Sequence, residues 1–126
     1  MQNVIPLTLA ALLAVGILVI GCLYVLSPER IVGGFGLKPP ALDANTRAWL
    51  RPKGVRDVAS GLVVLTLMLT ANNRAVGIVL LVFAIIPFGD MSNVLWSGGS
   101  KATAFSVHGV TCSLMLFAGI WLVHAF

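Results

Sequence analysis

Charge is what this sequence has least of. Its 126 residues include eight Lys or Arg and only four acids. A soluble domain is about one-quarter charged, so this chain cannot maintain a wetted surface and reads as an integral membrane protein. Cysteine is equally scarce. Cys22 and Cys112 lie inside apolar stretches, which excludes a disulfide framework and makes them small hydrophobes. The two histidines, His108 and His124, fall near opposite ends of one stretch and cannot share a haem iron. The net charge of +4 is small and local, so no nucleic-acid partner is expected. No internal repeat or low-complexity tract is present.

What is abundant is hydrophobic side chain, 59% of the chain. Four apolar stretches predict helices at about 4–26, 54–70, 75–96 and 103–125. A spanning helix needs about 17–25 residues; the second stretch is at the short end, and the third qualifies only by enclosing Asp90. The runs do not alternate with polar residues, which argues against a β-barrel. The expected fold is all-α: one domain over residues 1–126, an integral membrane bundle of four transmembrane helices with a long, partly helical first connection. The first stretch lacks a basic start, outruns a signal-peptide core of about 7–15 residues, and ends in a poor cleavage site, Ser27-Pro28-Glu29. It is expected to be a retained helix.

Basic residues set the orientation. Arg30, Lys38, Arg47, Arg51, Lys53 and Arg56 cluster around the first connection, and Lys101 lies in the third, against Arg74 alone in the second. The positive-inside rule makes the first and third connections cytoplasmic and both termini external, in what is expected to be the inner membrane. Trp49 and Trp96 mark the inner interface and Trp121 the outer. In the first connection, Ser27-Pro28-Glu29-Arg30 predicts a helix start, stopped by Gly33-Gly34. A second short helix is expected over 44–50, ahead of Pro52. The segment reads as an ordered connector whose functional reading is a lid over a cytoplasmic-side cavity.

Against this background Asp57, Asp90 and His108 stand out, because an ionisable residue within a bilayer is costly and marks a functional site by default. Asp57 lies about one turn inside helix two. Asp90 lies six residues before Trp96, roughly 9 Å, and His108 five residues after Thr103, roughly 7–8 Å. All three therefore fall at one depth. Ser60 shares a face with Asp57, and Thr111 with His108; Asn93 lies one turn beyond Asp90. Arg56 points about 100° away from Asp57, toward the interface or toward Asp90. Pro87 predicts a kink that turns Asp90 inward. Tyr24, at the same level on helix one, and Trp96 complete the candidate substrate-binding set of Tyr24, Ser60, Asn93, Thr111 and Trp96.

The combination suits acid–base chemistry. A carboxyl group withdrawn from water holds its proton to higher pH, a second carboxylate reinforces this, and histidine titrates near neutrality. Asp57, Asp90 and His108, with Arg56 to orient, are the candidate catalytic residues for protonating an alkene or epoxide or shifting a double bond. A purely structural cluster is the competing reading, although intramembrane polar contacts average only about 0.6 kcal/mol. A metal held by the two acids and His108 is disfavoured, because no helical His/carboxylate spacing supports it. No cofactor or metal is expected. Gly16, Gly21, Gly61 and Gly119 suit close packing, within the bundle or across a homodimer.

The residues Arg56-Asp57 to Gly61, Gly89-Asp90, His108 and Gly34-Phe35-Gly36-Leu37 resemble those of the DUF4267 family of small four-helix membrane proteins, itself similar to the DoxX-like group. The resemblance implies four helices in one domain and supplies no activity. It sets the family-like positions on Arg56, Asp57, Asp90 and His108. Two functions are carried forward. One is a membrane enzyme (isomerase, cyclase or epoxide-opening) acting on a lipophilic small molecule that reaches it from the lipid bilayer. The other is a small proton-coupled transporter, or an accessory scaffold subunit. Small multidrug transporters keep their carboxylate in helix one, whereas here Tyr24 is the one ionisable residue of that helix.

Overall fold

A computed structural model describes residues 2–124; the expected end of the last helix, at residue 125, lies outside them. Every regular element among the described residues is helical. α1 covers Val4–Leu26. Two 3₁₀ turns follow, Pro28–Arg30 and Val32–Phe35. α2 covers Ala44–Thr70, α3 Asn73–Phe83 and α4 Ile85–Trp96. α5 is a single turn, Lys101–Thr103; a π-helical stretch, Ala104–Gly109, joins it to α6, Val110–His124.

Among the described residues, three rods are long and apolar enough to cross a membrane: Val4–Leu26, Asn73–Trp96 and Lys101–His124. α2 has the length but not the composition, because its first half carries Arg47, Arg51, Lys53, Arg56 and Asp57.

Local chemistry explains the boundaries, and it corrects the expected ones. Asp43 caps α2 by accepting from Thr46 N–H at 2.7 Å, and Asn72 caps α3 by accepting from Ala75 N–H at 2.9 Å. α2 does not stop at Pro52; the expected 44–50 and 54–70 helices are one. Pro52 removes a single donor, and the Ala48 carbonyl it frees lies on an exposed face, so the helix continues. Ser27 does not cap by its side chain. Gly33-Gly34 does not end the first connection's helical path either, since both lie inside the second 3₁₀ turn. Gly36 ends it, in a left-handed conformation at φ +101° that a side chain rarely adopts. Pro87 has its effect three residues earlier, at Ala84, where α3 gives way to α4. The Ala84 carbonyl there accepts from Phe88 N–H and, at 3.5 Å, from the Cys112 thiol.

Glycines set the packing. Cβ atoms added at Gly21 and Gly54 would each sit 2.6 Å from the other's carbonyl oxygen, and one at Gly61 would sit 2.6 Å from the Ala14 oxygen. α1 and α2 therefore run antiparallel in backbone contact, and Gly77 and Gly119 make the equivalent crossing between α3 and α6. Ala10, Ala14, Val64, Leu80, Ala118 and Leu122 fill the half of the bundle near the α2–α3 turn. The other half is hollow.

Candidate functional site

A cavity of about 260 Å³ occupies that hollow half, between the α1–α2 pair and the wall made by α4, the π stretch and α6. Leu13, Ile17, Leu80, Phe83 and Met115 line its apolar depth. Tyr24, Lys53, Asp57, Asp90 and His108 gather at its polar end, and Ile31, Gly34 and Phe35 of the first connection close over them.

Asp57 is 7% exposed and lies on the inner face of α2. Lys53, one turn earlier, donates to Asp57 Oδ2 at 2.7 Å. The same ammonium stands 4.3 Å from the centre of the Tyr24 ring and 5.6 Å from that of Phe35. Carboxylate and two aromatic faces thus cage one cation. Burying such a pair is tolerable because each charge has its partner.

His108 is 8% exposed, and its Nε2 lies 2.8 Å from the Phe35 carbonyl oxygen. A carbonyl oxygen can only accept, so Nε2 carries the hydrogen and the neutral ring leaves a bare lone pair on Nδ1. That lone pair faces Asp90 Oδ2 at 4.0 Å. The separation is too long for a hydrogen bond. A proton on either group would let the two hydrogen-bond, and the Phe35 carbonyl fixes which ring nitrogen faces Asp90. The Phe35 ring packs edge-on against the imidazole at 4.9 Å. The π stretch bearing His108 is a local widening of the helix that often accompanies function.

Of the residues singled out in the sequence, Asp57, Asp90, His108, Tyr24, Ser60 and Thr111 line the cavity. Ser60 and Thr111 donate their hydroxyl protons to the Arg56 and Val107 carbonyls of their own helices, which leaves only lone pairs for a ligand. Arg56, Asn93 and Trp96 are exposed and do not line the cavity. Lys53, not Arg56, is the cation facing the acids, because a step of one residue turns a helical side chain about 100° whereas four restore the face. The i,i+4 spacing of Lys53 and Asp57 was the available signal. The Phe35 carbonyl has none, since every residue carries one. No three His, Cys, Asp or Glu side chains among the described residues converge on a metal position.

The connection is pinned where it covers the cavity. Ser100 N–H donates to the Gly36 carbonyl at 2.8 Å. Glu29 pairs with Arg47 at 3.0 Å, at the end of α2 beyond α1. Glu29's own backbone N–H, and next the Arg47 guanidinium, hold its carboxyl below the ordinary glutamate range. Asp43, capping α2, is lowered likewise, chiefly by the Thr46 N–H.

The Domain of unknown function DUF4267 matches residues 14–122. The chain belongs to this family. The match covers every cavity-lining residue except Leu12 and Leu13. No curated protein and no solved structure matches the chain.

Proposed function

We propose that this DUF4267 protein is a cofactor-free acid–base enzyme acting on a small lipophilic molecule within the membrane, by isomerisation, cyclisation or epoxide opening. The observation that carries this reading is the placement of Asp90 and His108, 4.0 Å apart, at the polar end of an apolar cavity. The cavity volume equals roughly nine waters at ~30 Å³ each, or a chain on the order of ten carbon atoms. Asp90 and His108 take the acid and base roles. The Lys53–Asp57 pair supplies a fixed charge distribution beside them.

Access from lipid is part of the proposal. Leu12, Gly16, Ile86 and Val107 line the cavity and are exposed, and the proposed lipid entrance lies among them. The proposal includes a fourth span, supported by the exposed apolar face of α2 at Leu62, Val63 and Leu69. It also puts the polar end on the cytoplasmic side of the inner membrane, with both termini outside, because Lys101 and the basic residues of the first connection share that end.

The test compares organic extracts of membranes carrying the wild-type protein, Asp90→Asn or His108→Ala. A lipophilic product present only with the wild type, while both variants assemble normally in detergent, is the expected result. If both variants fail to fold, the cluster is structural. If all three extracts match while the variants fold, the acid–base reading is wrong.

A further inference from the structure

We infer that the polar end of the ligand is a carbonyl group, gripped by Tyr24 and Lys53 while the His108–Asp90 pair moves a proton at the neighbouring carbon. The inference rests on the acid–base reading above and names its substrate class.

The two walls of the cavity offer opposite chemistry. On the α1–α2 side, Tyr24 is 4% exposed and lines the cavity, yet its hydroxyl makes no hydrogen bond among the described residues. The residue is buried while its hydroxyl oxygen keeps accessible surface, as a group open to a cavity does. Lys53 gives one N–H to Asp57 and otherwise rests against the Tyr24 and Phe35 ring faces, weak acceptors that a ligand oxygen would replace. This wall therefore presents spare donors. On the other side stand the bare Nδ1 of His108 and the Asp90 carboxyl, which take protons. Ser60 and Thr111 add no donor, their hydrogens being committed.

A ligand matching both walls carries an oxygen acceptor next to an acidic C–H. A plain alkene would leave Tyr24 and Lys53 unused, and a carboxylate would be repelled by Asp90. A ketone or enone satisfies both. Nδ1 takes the proton from the carbon adjacent to the carbonyl. The C–H electron pair becomes a C=C bond, and the carbonyl π pair moves onto oxygen, where Tyr24 Oη–H and Lys53 Nζ–H donate to it. The imidazolium, facing Asp90, then returns the proton to the same carbon, or to the far carbon of an enone, which shifts the double bond. No oxidant or reductant is required.

The probe is a series of 2-alkanones of roughly eight to twelve carbons, sized to the cavity, incubated with detergent-purified full-length protein in D₂O. Mass spectrometry reads deuterium gained beside the carbonyl. The wild type is expected to raise that rate above a detergent blank, Tyr24→Phe to lower it about a hundredfold, and His108→Gln to remove it. Tyr24→Phe deletes a hydroxyl that hydrogen-bonds to none of the described residues, so the fold is retained. As a second readout, displacement of 1-aminoanthracene should favour ketones over alkanes of equal length, a preference lost in Tyr24→Phe. The inference is overturned if the ketones gain no deuterium, or if Tyr24→Phe exchanges them as fast as the wild type. Should washed membranes in D₂O instead yield a His108-dependent deuterated lipid lacking a carbonyl, the carbonyl assignment fails while the acid–base reading stands.

Discussion

Lys53 donates to Asp57 across one turn of α2, and that carboxylate sits in a wall that leaves the residue 7% exposed. Lys53→Met strands the acid, at a cost of about 1–3 kcal/mol in detergent unfolding. Lys53→Met with Asp57→Leu should recover most of the loss, because removing both charges ends the desolvation cost; equal stability of the wild type and Lys53→Met would show that the pair contributes nothing. The choice of Lys53 over Arg56 shows where residue-level reading failed. Pro52 suggested a helix boundary, which put Lys53 in a loop and left Arg56 as the nearest cation. Asp57, Asp90 and His108 were legible because each is an isolated ionisable group in an apolar run. At the connection, Glu29 has its carboxyl held low in the folded state. Its stabilising contribution is fully present above the unfolded glutamate range near pH ~4.3. It is lost as pH falls through the lower folded value. The hydrogen-exchange protection factor over residues 28–36, corrected for the intrinsic pH dependence of exchange, should fall across that acidic window in the wild type, and Glu29→Gln should flatten the response.

Among the elements, the helix pairs depend on glycine contact, and the hollow half depends on its absence. Gly54→Ala drives a Cβ to 2.6 Å from the Gly21 carbonyl, against backbone that cannot yield cheaply, and should cost about 1–3 kcal/mol. Gly16 meets nothing within 4 Å. Gly16→Ala should leave thermal unfolding unchanged, and Gly16→Phe should weaken binding of an apolar fluorophore with little effect on unfolding. Destabilisation by Gly16→Phe equal to that of Gly54→Ala would show that α1 is packed there too. The helices themselves were legible from continuous apolar runs, while their irregularities were less so. Pro52 was absorbed because its freed carbonyl is exposed, and Pro87 displaced the break to Ala84. The π stretch carrying His108 has no sequence signature, since one extra residue in a turn leaves composition unchanged.

For the molecule as a whole, one half of the bundle is filled by alanine, valine and leucine, and the other half is left open with its few ionisable side chains at one end. The sequence implied that end by counting depth along separate helices. A cavity under the first connection was expected from the same counting, but not its extent along the helix pairs, nor the part played by the Phe35 carbonyl, which acts through backbone. The central claim, for the isomerising chemistry that the carbonyl inference selects, is that this hollow half exchanges protons with carbon in a lipophilic ligand. Its most direct test is to suspend washed membranes bearing the wild-type protein, Asp90→Asn or His108→Gln in D₂O buffer and to follow carbon-bound deuterium in the lipid extract. A lipophilic species that gains deuterium with the wild type and not with either variant is the result predicted. Identical labelling in all three, with both variants folded, would contradict the claim.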